Sequence, residues 1–270
     1  MNLIEKEQQL IHQLKQMKRV LIALSGGVDS TYLAKMAYIA LGENAIAVTI
    51  ENEFIPKREV EEAYVLAKKI GIPHKQVYLD ALSNENISAN PADRCFFCKT
   101  HLFTHLMQIA KNLNIETIID GSNLDDMQDY RPGLKALYTL GIRSPLKEIG
   151  FSKKEIRERS KAHDLPTWDK PSFSCLASRI PYNERITREK LQQIDHAEQF
   201  LFELGLKQFR VRHHGVVARI EVLPEDFPRI LANYQTIVEK LKALGFQYVT
   251  LDLEGYRTGS LNRQLIGIKE

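Results

Sequence analysis

The chain has 270 residues, 44% of them hydrophobic, which is apolar material for one large core or for a core plus a smaller second domain. Its 37 lysines and arginines against 34 aspartates and glutamates leave a formal charge of +3, too weak a field to favour nucleic acid or an anionic membrane over small-molecule chemistry. No apolar run reaches the roughly 18 residues of a membrane span and the opening "MNLIEKEQQLIHQ" lacks the apolar centre of a signal peptide, so a cytoplasmic protein is expected, its three cysteines serving as thiols, thiolates or metal ligands rather than as a disulfide scaffold.

Leu10, Ile11, Leu14 and Met17 share one face of an opening helix, and "RVLIAL" (19–24) then reads as a buried strand. Next comes "LSGGVDSTYLAKMA" (24–37). A strand that ends in Ser25-Gly26-Gly27 and opens a helix near Asp29 and Ser30 leaves unpaired amides at the positive end of a helix dipole. Phosphate suits that place: the glycines allow close backbone approach and Ser25 and Ser30 add hydroxyls. Asp29 would repel phosphates unless a Mg2+ ion lay between them, which implies a metal-bound nucleotide. The plainer alternative is a strand-to-helix turn capped by Asp29 or Ser30.

The alternation continues with "AIAVTI" (45–50), a helix near 57–70, "KQVYL" (75–79), a helix over about 95–112 and "TIIDG" (117–121). Repeated strand-helix-strand units predict an α/β fold with a doubly wound parallel sheet. Cys95 and Cys98 form a C-x-x-C pair at the start of the fourth helix; a zinc half-site, a redox pair and a cluster site all remain open, with His101 and His105 on the same helix as further ligands. Asp120, Asn123, Asp125, Asp126 and Asp129 gather after "TIIDG", at the sheet edge where such folds bind ligands. Among them Asn123 is a candidate nucleotide contact and Asp126 and Asp129 are candidate Mg2+ ligands, with Arg131 and Arg143 as phosphate partners. Lys99 and Lys135 fit the same part or plain surface charges, and a solvated Asx turn explains any one of the aspartates alone.

Ser152 and Glu155 form a capping box that opens a helix to about 163. Residues 164–187 hold three prolines and little periodicity, which suits a boundary or a functional crossover; Cys175 lies there, as does Trp168, read as a packing residue. A helix over 187–204, strands "FRVRHH" (209–214) and "VVARIEV" (216–222) turning at His214-Gly215, a helix over 226–244 and the strand "FQYVTLDL" (246–253) then predict a small α+β domain of ferredoxin-like type. The expected division is 1–165, a crossover over 166–186, and 187–270. Arg210 and Arg212 alternate along one strand and so share a face, where pairing with Glu221 competes with ligand binding.

The order S-G-G-x-D-S is neither a Walker loop nor a dinucleotide fingerprint; it resembles the PP-loop of the N-type ATP pyrophosphatases, which split ATP into AMP and pyrophosphate. "DGSNLDDMQDYRPGLKAL" (120–137), "CLASRIPY" (175–182), "RVRHHGVVARIEV" (210–222) and "YVTLDLEGYRTGS" (248–260) resemble the LarE family, so the likeness spans nearly the whole chain. It implies a sulfur transferase with an adenine nucleotide α-hydrolase-like fold that adenylates a carboxylate of pyridinium-3,5-biscarboxylic acid mononucleotide and converts it to a thiocarboxylate for the nickel-pincer cofactor. Sulfide or another donor supplies the sulfur. The resemblance assigns Arg210, Arg212 and Arg257 to the substrate phosphate, a use that suits planar guanidinium forks, and Glu198 to the reaction centre. It also assigns Cys95, Cys98 and Cys175 to a [4Fe-4S] cluster with one iron open. The rival is Cys175 as direct donor, giving up its own sulfur. A homo-oligomer is implied as well. Two other readings stay open: another PP-loop enzyme, chiefly a tRNA thiolase, and a non-catalytic nucleotide or redox sensor. Against the first, the last ninety residues carry 13 basic and 12 acidic side chains, a poor RNA platform.

Overall fold

Apolar runs without polar alternation become strands that meet water on neither face. In the computed structural model, which describes residues 2–128, 132–172, 174–257 and 259–262, β1 (Val20–Ala23), β2 (Ala45–Glu51), β3 (His74–Tyr78) and β4 (Thr117–Ile119) form one sheet in the order β3-β2-β1-β4. Every neighbouring pair is parallel. On one face Val20, Ile22 and Ala47 share a core with Leu14 of α1 (Leu3–Gln16), Leu33 of α2 (Val28–Leu41), Ala67 of α3 (Lys57–Ile70) and Ile156 of α8 (Lys153–Ala162). On the other, Leu21, Val48 and Ile118 pack with Phe103, Leu106 and Ala110 of α5 (Arg94–Asn112) and with Leu137 of α6 (Pro132–Thr139). The predicted doubly wound sheet is therefore present. A short α7 (Pro145–Ile149) precedes α8, whose capping box between Ser152 and Glu155 forms as read from the sequence.

The order of strands fixes where a ligand can sit. From β1 the chain builds outward through β2 and β3, then returns to place β4 on the opposite side of β1. The carboxyl ends of β1 and β4 thus flank the switch point at which open α/β sheets take ligands.

A buried carboxylate ties three helices together beneath this edge. Glu7 of α1 accepts from Arg159 of α8 through both oxygens (2.7 and 2.9 Å) and from the Tyr32 hydroxyl of α2 (2.8 Å), with His163 Nε2 at 2.9 Å. Burial alone would raise its pKa, yet the Arg159, Tyr32 and His163 contacts outweigh it and hold the carboxyl at about 2. A depressed carboxylate stabilises the fold above its ordinary value and ceases to do so as pH falls through the lowered one. The difference in thermal midpoint between the parent chain and Glu7→Gln should thus be full at neutral pH and close as pH drops from about 4.5 toward 2, as scanning fluorimetry across that range would record.

Tertiary contacts divide the chain into two compact units, residues 1–81 with 93–173 and residues 82–92 with 174–270. The second is built on α9 (Arg188–Glu203), the hairpin β5 (Phe209–His214) and β6 (Val217–Val222), α10 (Phe227–Ala232), α11 (Tyr234–Ala243) and β7 (Tyr248–Leu251), with β6 antiparallel to β5 and parallel to β7. His214 still pairs with Val217, so the turn centres on Gly215 and Val216, one residue later than expected, with Gly215 at φ +59°. The helix expected over 226–244 breaks at Asn233 (φ −111°, ψ 16°), whose side chain donates to the Arg229 carbonyl. The segment 82–92, with its short α4 (Glu85–Ser88), joins this unit through backbone bonds from Ile186 to Ser88 (2.8 Å) and from Asn183 to Asn90 (2.9 Å). Among the described residues no helix is long and apolar enough to cross a membrane.

Candidate active site

The chain leaves β1 through Leu24, fixed by its own amide on the Val48 carbonyl (2.9 Å) and by the Thr49 hydroxyl on its carbonyl (2.9 Å). It must then turn into α2 within Ser25-Gly26-Gly27. Gly26 has φ +75°, strained for any side chain, and a Cβ there would come within 3.3 Å of Ala63 Cβ. Gly27 caps α2 in extended conformation without a side-chain bond, so the first helical amides stay available to an anion at the positive end of the dipole. Ser30 braces the turn: its hydroxyl accepts from the Ser25 amide (3.2 Å), donates to the Gly27 carbonyl (3.2 Å) and lies 3.0 Å from the Ser25 hydroxyl. The two serines, expected as phosphate donors, hold the loop in shape.

Across the switch point Gly121 follows β4, and a Cβ built there would stand 2.8 Å from the Ser30 amide nitrogen and 3.0 Å from Ser30 Cα. Only a glycine lets the two motifs meet this closely. Asp120 is buried and accepts from the Ser122 and Ser144 hydroxyls (2.6 Å each), with Lys99 Nζ at 3.7 Å. Ser122 thus holds one carboxylate oxygen and Ser144 the other. Asn123 is also buried; its side-chain oxygen accepts from the Asp125 amide and its own amide donates to Asp126 (2.9 Å each), the Asx-turn geometry that the sequence left as an alternative. Arg143, a candidate phosphate partner, is paired with Glu148 at the surface. Asp129 and Arg131 lie outside the described residues.

Asp29 is the carboxylate that this edge leaves half used. Oδ2 is paired with Lys153 Nζ, the first residue of α8, while Oδ1 is buried without a hydrogen-bond partner among the described residues. Burial first, and the Asp126 carboxylate after it, push its pKa up against the opposing pull of Lys153 and, more weakly, of the Asn123 side chain. Among the described residues no group of three or more His, Cys, Asp and Glu side chains stands ready to hold a metal ion. An orphaned carboxylate oxygen beside Asp126 nonetheless fits a hard, oxygen-seeking cation that brings phosphate oxygens and water as its remaining ligands. A second lysine missed by sequence reasoning, Lys170, donates to the Gly26 carbonyl (3.2 Å) and to Glu59 and Glu62 of α3 (2.8 Å each), pinning the loop from the irregular segment.

Cys95 and Cys98 occupy the first turns of α5, both half-buried, with Arg94 Nη2 3.9 Å from the Cys95 sulfur. The imidazole Nε2 atoms of His101 and His105 further along the helix are buried without a partner among the described residues. Cys175 belongs to the second unit and is half-buried. None of the three is in a disulfide. Two thiols one turn apart on one helix offer two ligands, short of the three that an open-iron cluster needs.

In the second unit the polar face of the hairpin carries Arg210 and Arg212 opposite Glu221 and Arg219. A cleft of about 180 Å³ on this face is lined by Arg179, Arg212, Arg219, Arg257, Glu221 and Asp252, among others. Arg212 is bidentate to Glu221 (2.9 and 2.8 Å) and also donates to the Ser178 carbonyl and the Ser260 hydroxyl (2.6 Å each), so the cross-strand pairing weighed against ligand binding does form. Arg257 is exposed, 3.9 Å from Glu254. Arg210 is not a wall of the cleft: it lies buried with its guanidinium 5.0 Å from the Tyr256 ring centre, and burial together with the nearby Arg179 lowers its pKa to about 10.

Glu198, expected at the reaction centre, is fully buried and saturated. It takes both forks of an equally buried Arg179 (2.8 Å each) and the Val211 amide (2.9 Å). Although burial opposes ionisation, Arg179 keeps its carboxyl below the usual range. Arg179 in turn donates to the carbonyls of Ser174 (2.7 Å) and Cys175 (3.0 Å) and to the Ser174 and Ser178 hydroxyls (2.9 Å each). The pair therefore shapes the loop bearing Cys175.

Comparison with known proteins bears on both motifs. The NAD synthase family matches residues 3–93, the stretch that contains the loop. An uncharacterised protein of Synechocystis sp. is 47% identical over 93% of this chain and 94% of its own length. The pyridinium-3,5-bisthiocarboxylic acid mononucleotide synthase of Lactiplantibacillus plantarum is 37% identical over 97% of this chain and 96% of its own. The chain belongs to the LarE family. As a LarE protein with a PP-loop it is an ATP-dependent sulfur transferase. A wider likeness runs to a glutamine-hydrolysing GMP synthase chain of Saccharolobus islandicus, 29% identical over 73% of this chain and 60% of that one. What the sequence left unseen in this LarE chain are the groups that tether its loops: Lys153, Lys170 and Arg179. Gly121 alone carried a signal, a glycine directly after a strand.

Proposed function

We propose that this LarE protein adenylates a carboxylate of pyridinium-3,5-biscarboxylic acid mononucleotide and converts it to a thiocarboxylate, toward the nickel-pincer nucleotide. The observation that carries the nucleotide half is the glycine-capped start of α2 at the switch point, with Asp29 beside it. A carboxylate oxygen of the substrate attacks the α-phosphorus of ATP, the bond to the bridging oxygen breaks and pyrophosphate leaves; sulfide then displaces AMP from the acyl carbon. Amides of the loop stabilise charge growing on the phosphates. Mg2+, with Asp29 and Asp126 as its candidate protein ligands, would supply the remaining charge neutralisation. Arg212 and Arg257 supply cations to the cleft of the second unit, which suits the substrate phosphate, with Arg210 reinforcing the local positive potential.

The family resemblance supports Cys95, Cys98 and Cys175 as thiolate ligands of a [4Fe-4S] cluster, which when bound would offer an open iron to sulfide. The rival is that the Cys175 sulfur itself is donated, from a loop that Arg179 anchors through the Ser174 and Cys175 carbonyls. Protein purified without oxygen, assayed for iron and sulfide and then given ATP, the mononucleotide and sulfide, should release AMP and pyrophosphate in step with thiocarboxylate. More than one product per chain supports the cluster; a Cys175 peptide lighter by one molecule of hydrogen sulfide after a single turnover supports donation. ADP and phosphate as products, or ATP consumption indifferent to the mononucleotide, would overturn the proposal.

A further inference from the structure

We propose that Lys153 is an exchanging cation of the nucleotide site, paired with Asp29 as observed and moving to phosphate oxygens when a divalent ion takes that carboxylate. The inference rests on the ATP reading of the loop and goes beyond it by naming a positioning residue that the sequence motifs do not contain.

Three observations carry it. Asp29 has one oxygen on Lys153 and the other buried without a partner among the described residues. A desolvated carboxylate with one monovalent counter-ion is a poor final state but a good waiting one, since a divalent cation neutralises it better and cannot share it with an ammonium at close range. The backbone of Lys153 is fixed, while its side chain is held at the tip by Asp29. Its amide donates to Asp125 (2.8 Å), the Ser152 and Glu155 capping box holds the helix start, and Ile156 anchors the next turn in the core. The ammonium sits on a flexible four-carbon stem and makes no fixed bidentate fork, so it can change partner without any change of fold. Lys170 has two carboxylates and a carbonyl, Arg143 has Glu148, and Lys99 faces Asp120 at 3.7 Å. Lys153 holds a single carboxylate oxygen, on the group a metal-bound nucleotide would claim.

The exchange predicts opposite signs for two binding constants when the ammonium is removed. In Lys153→Met, Mn2+ alone, followed by its spin resonance signal, should bind several-fold tighter than in the parent chain because its competitor is gone. Mn2+ with ATP should bind roughly tenfold or more weakly, the loss of one charge-assisted contact. Lys153→Gln should give the same two signs, which separates the effect from any local misfolding in one variant. If both affinities fall, Lys153 is only a brace for Asp29 and the inference is wrong. If both rise, the lysine blocks the site and never reaches phosphate, which also overturns it. A parent chain that binds no Mn2+ with ATP overturns the nucleotide reading and this inference together, whereas either of the preceding outcomes leaves that reading standing.

Discussion

Glu198→Ala should lower the stability of the second unit by about 3–5 kcal/mol, the usual cost of leaving one charge of a buried pair alone. Arg179 and Glu198 are both at 0% exposure, so the variant leaves a guanidinium buried without its counter-ion. The variant would also orphan the Val211 amide, adding the penalty of an unmet buried donor. Urea unfolding followed by a spectroscopic probe in the second unit would record the loss as a lower midpoint. Because Arg179 holds its carboxyl below the ordinary range, the contribution should be intact at neutral pH and fade only as pH falls through the lowered value. A double variant, Arg179→Met with Glu198→Leu, should regain much of the stability, since an apolar pair of similar volume often serves a core as well as ions do. It should not regain sulfur transfer, because the guanidinium that grips the Ser174 and Cys175 carbonyls is gone. Normal stability in Glu198→Ala with a slowed reaction would support the catalytic role that the resemblance assigned to Glu198.

That contrast marks where sequence reading stops. The parallel sheet was legible because buried strands such as "AIAVTI" lack polar alternation and the helices between them keep their period; β2 begins at Ala45 and α3 spans Lys57–Ile70, where the pattern put them. The loop was legible because its glycines do a backbone job, and backbone demands leave a residue type behind. Side-chain tethers leave no such trace. Lys153, Lys170 and Arg179 carry no signal of their roles in the sequence, because their partners lie 124, 111 and 19 residues away in the chain. The segment 82–92 was equally invisible: its place in the second unit rests on backbone bonds to Asn183 and Ile186 and on the Asn90 side-chain amide donating to the Pro181 carbonyl (2.7 Å), all between residues far apart in the chain. The break at Asn233 comes with a local bond from its side-chain amide to the Arg229 carbonyl, a side-chain competition with the helix that the hydrophobic period does not register.

Gly121→Ala should cripple nucleotide binding while leaving the chain folded. The added methyl would sit 2.8 Å from the Ser30 nitrogen and 3.0 Å from its Cα, and both are backbone atoms that no rotamer change can withdraw. Relief has to come from α2 or from the strand end. Thr31, Tyr32, Leu33 and Ala34 are each at 0% exposure, so the helix cannot shift without disturbing the core, at about 1–3 kcal/mol for overpacking. A displacement of about 1 Å at the amides that face the phosphates would cost on the order of a hundredfold in AMP formation. Gly27→Ala is the control. Its backbone is extended (φ −78°) and a Cβ would meet only the Ser25 hydroxyl at 3.5 Å, an ordinary contact, so the fold should tolerate it with a smaller loss. Calorimetric titration with ATP, beside thermal midpoints for both variants, separates affinity from stability. Equal ATP affinity in Gly121→Ala and the parent chain would mean that the first turn of α2 is not where the phosphates lie. The ordering of the two variants matters most: the more damaging change is expected outside the S-G-G-x-D-S signature, because the signature shapes the loop and Gly121 decides how closely the opposite strand may approach it.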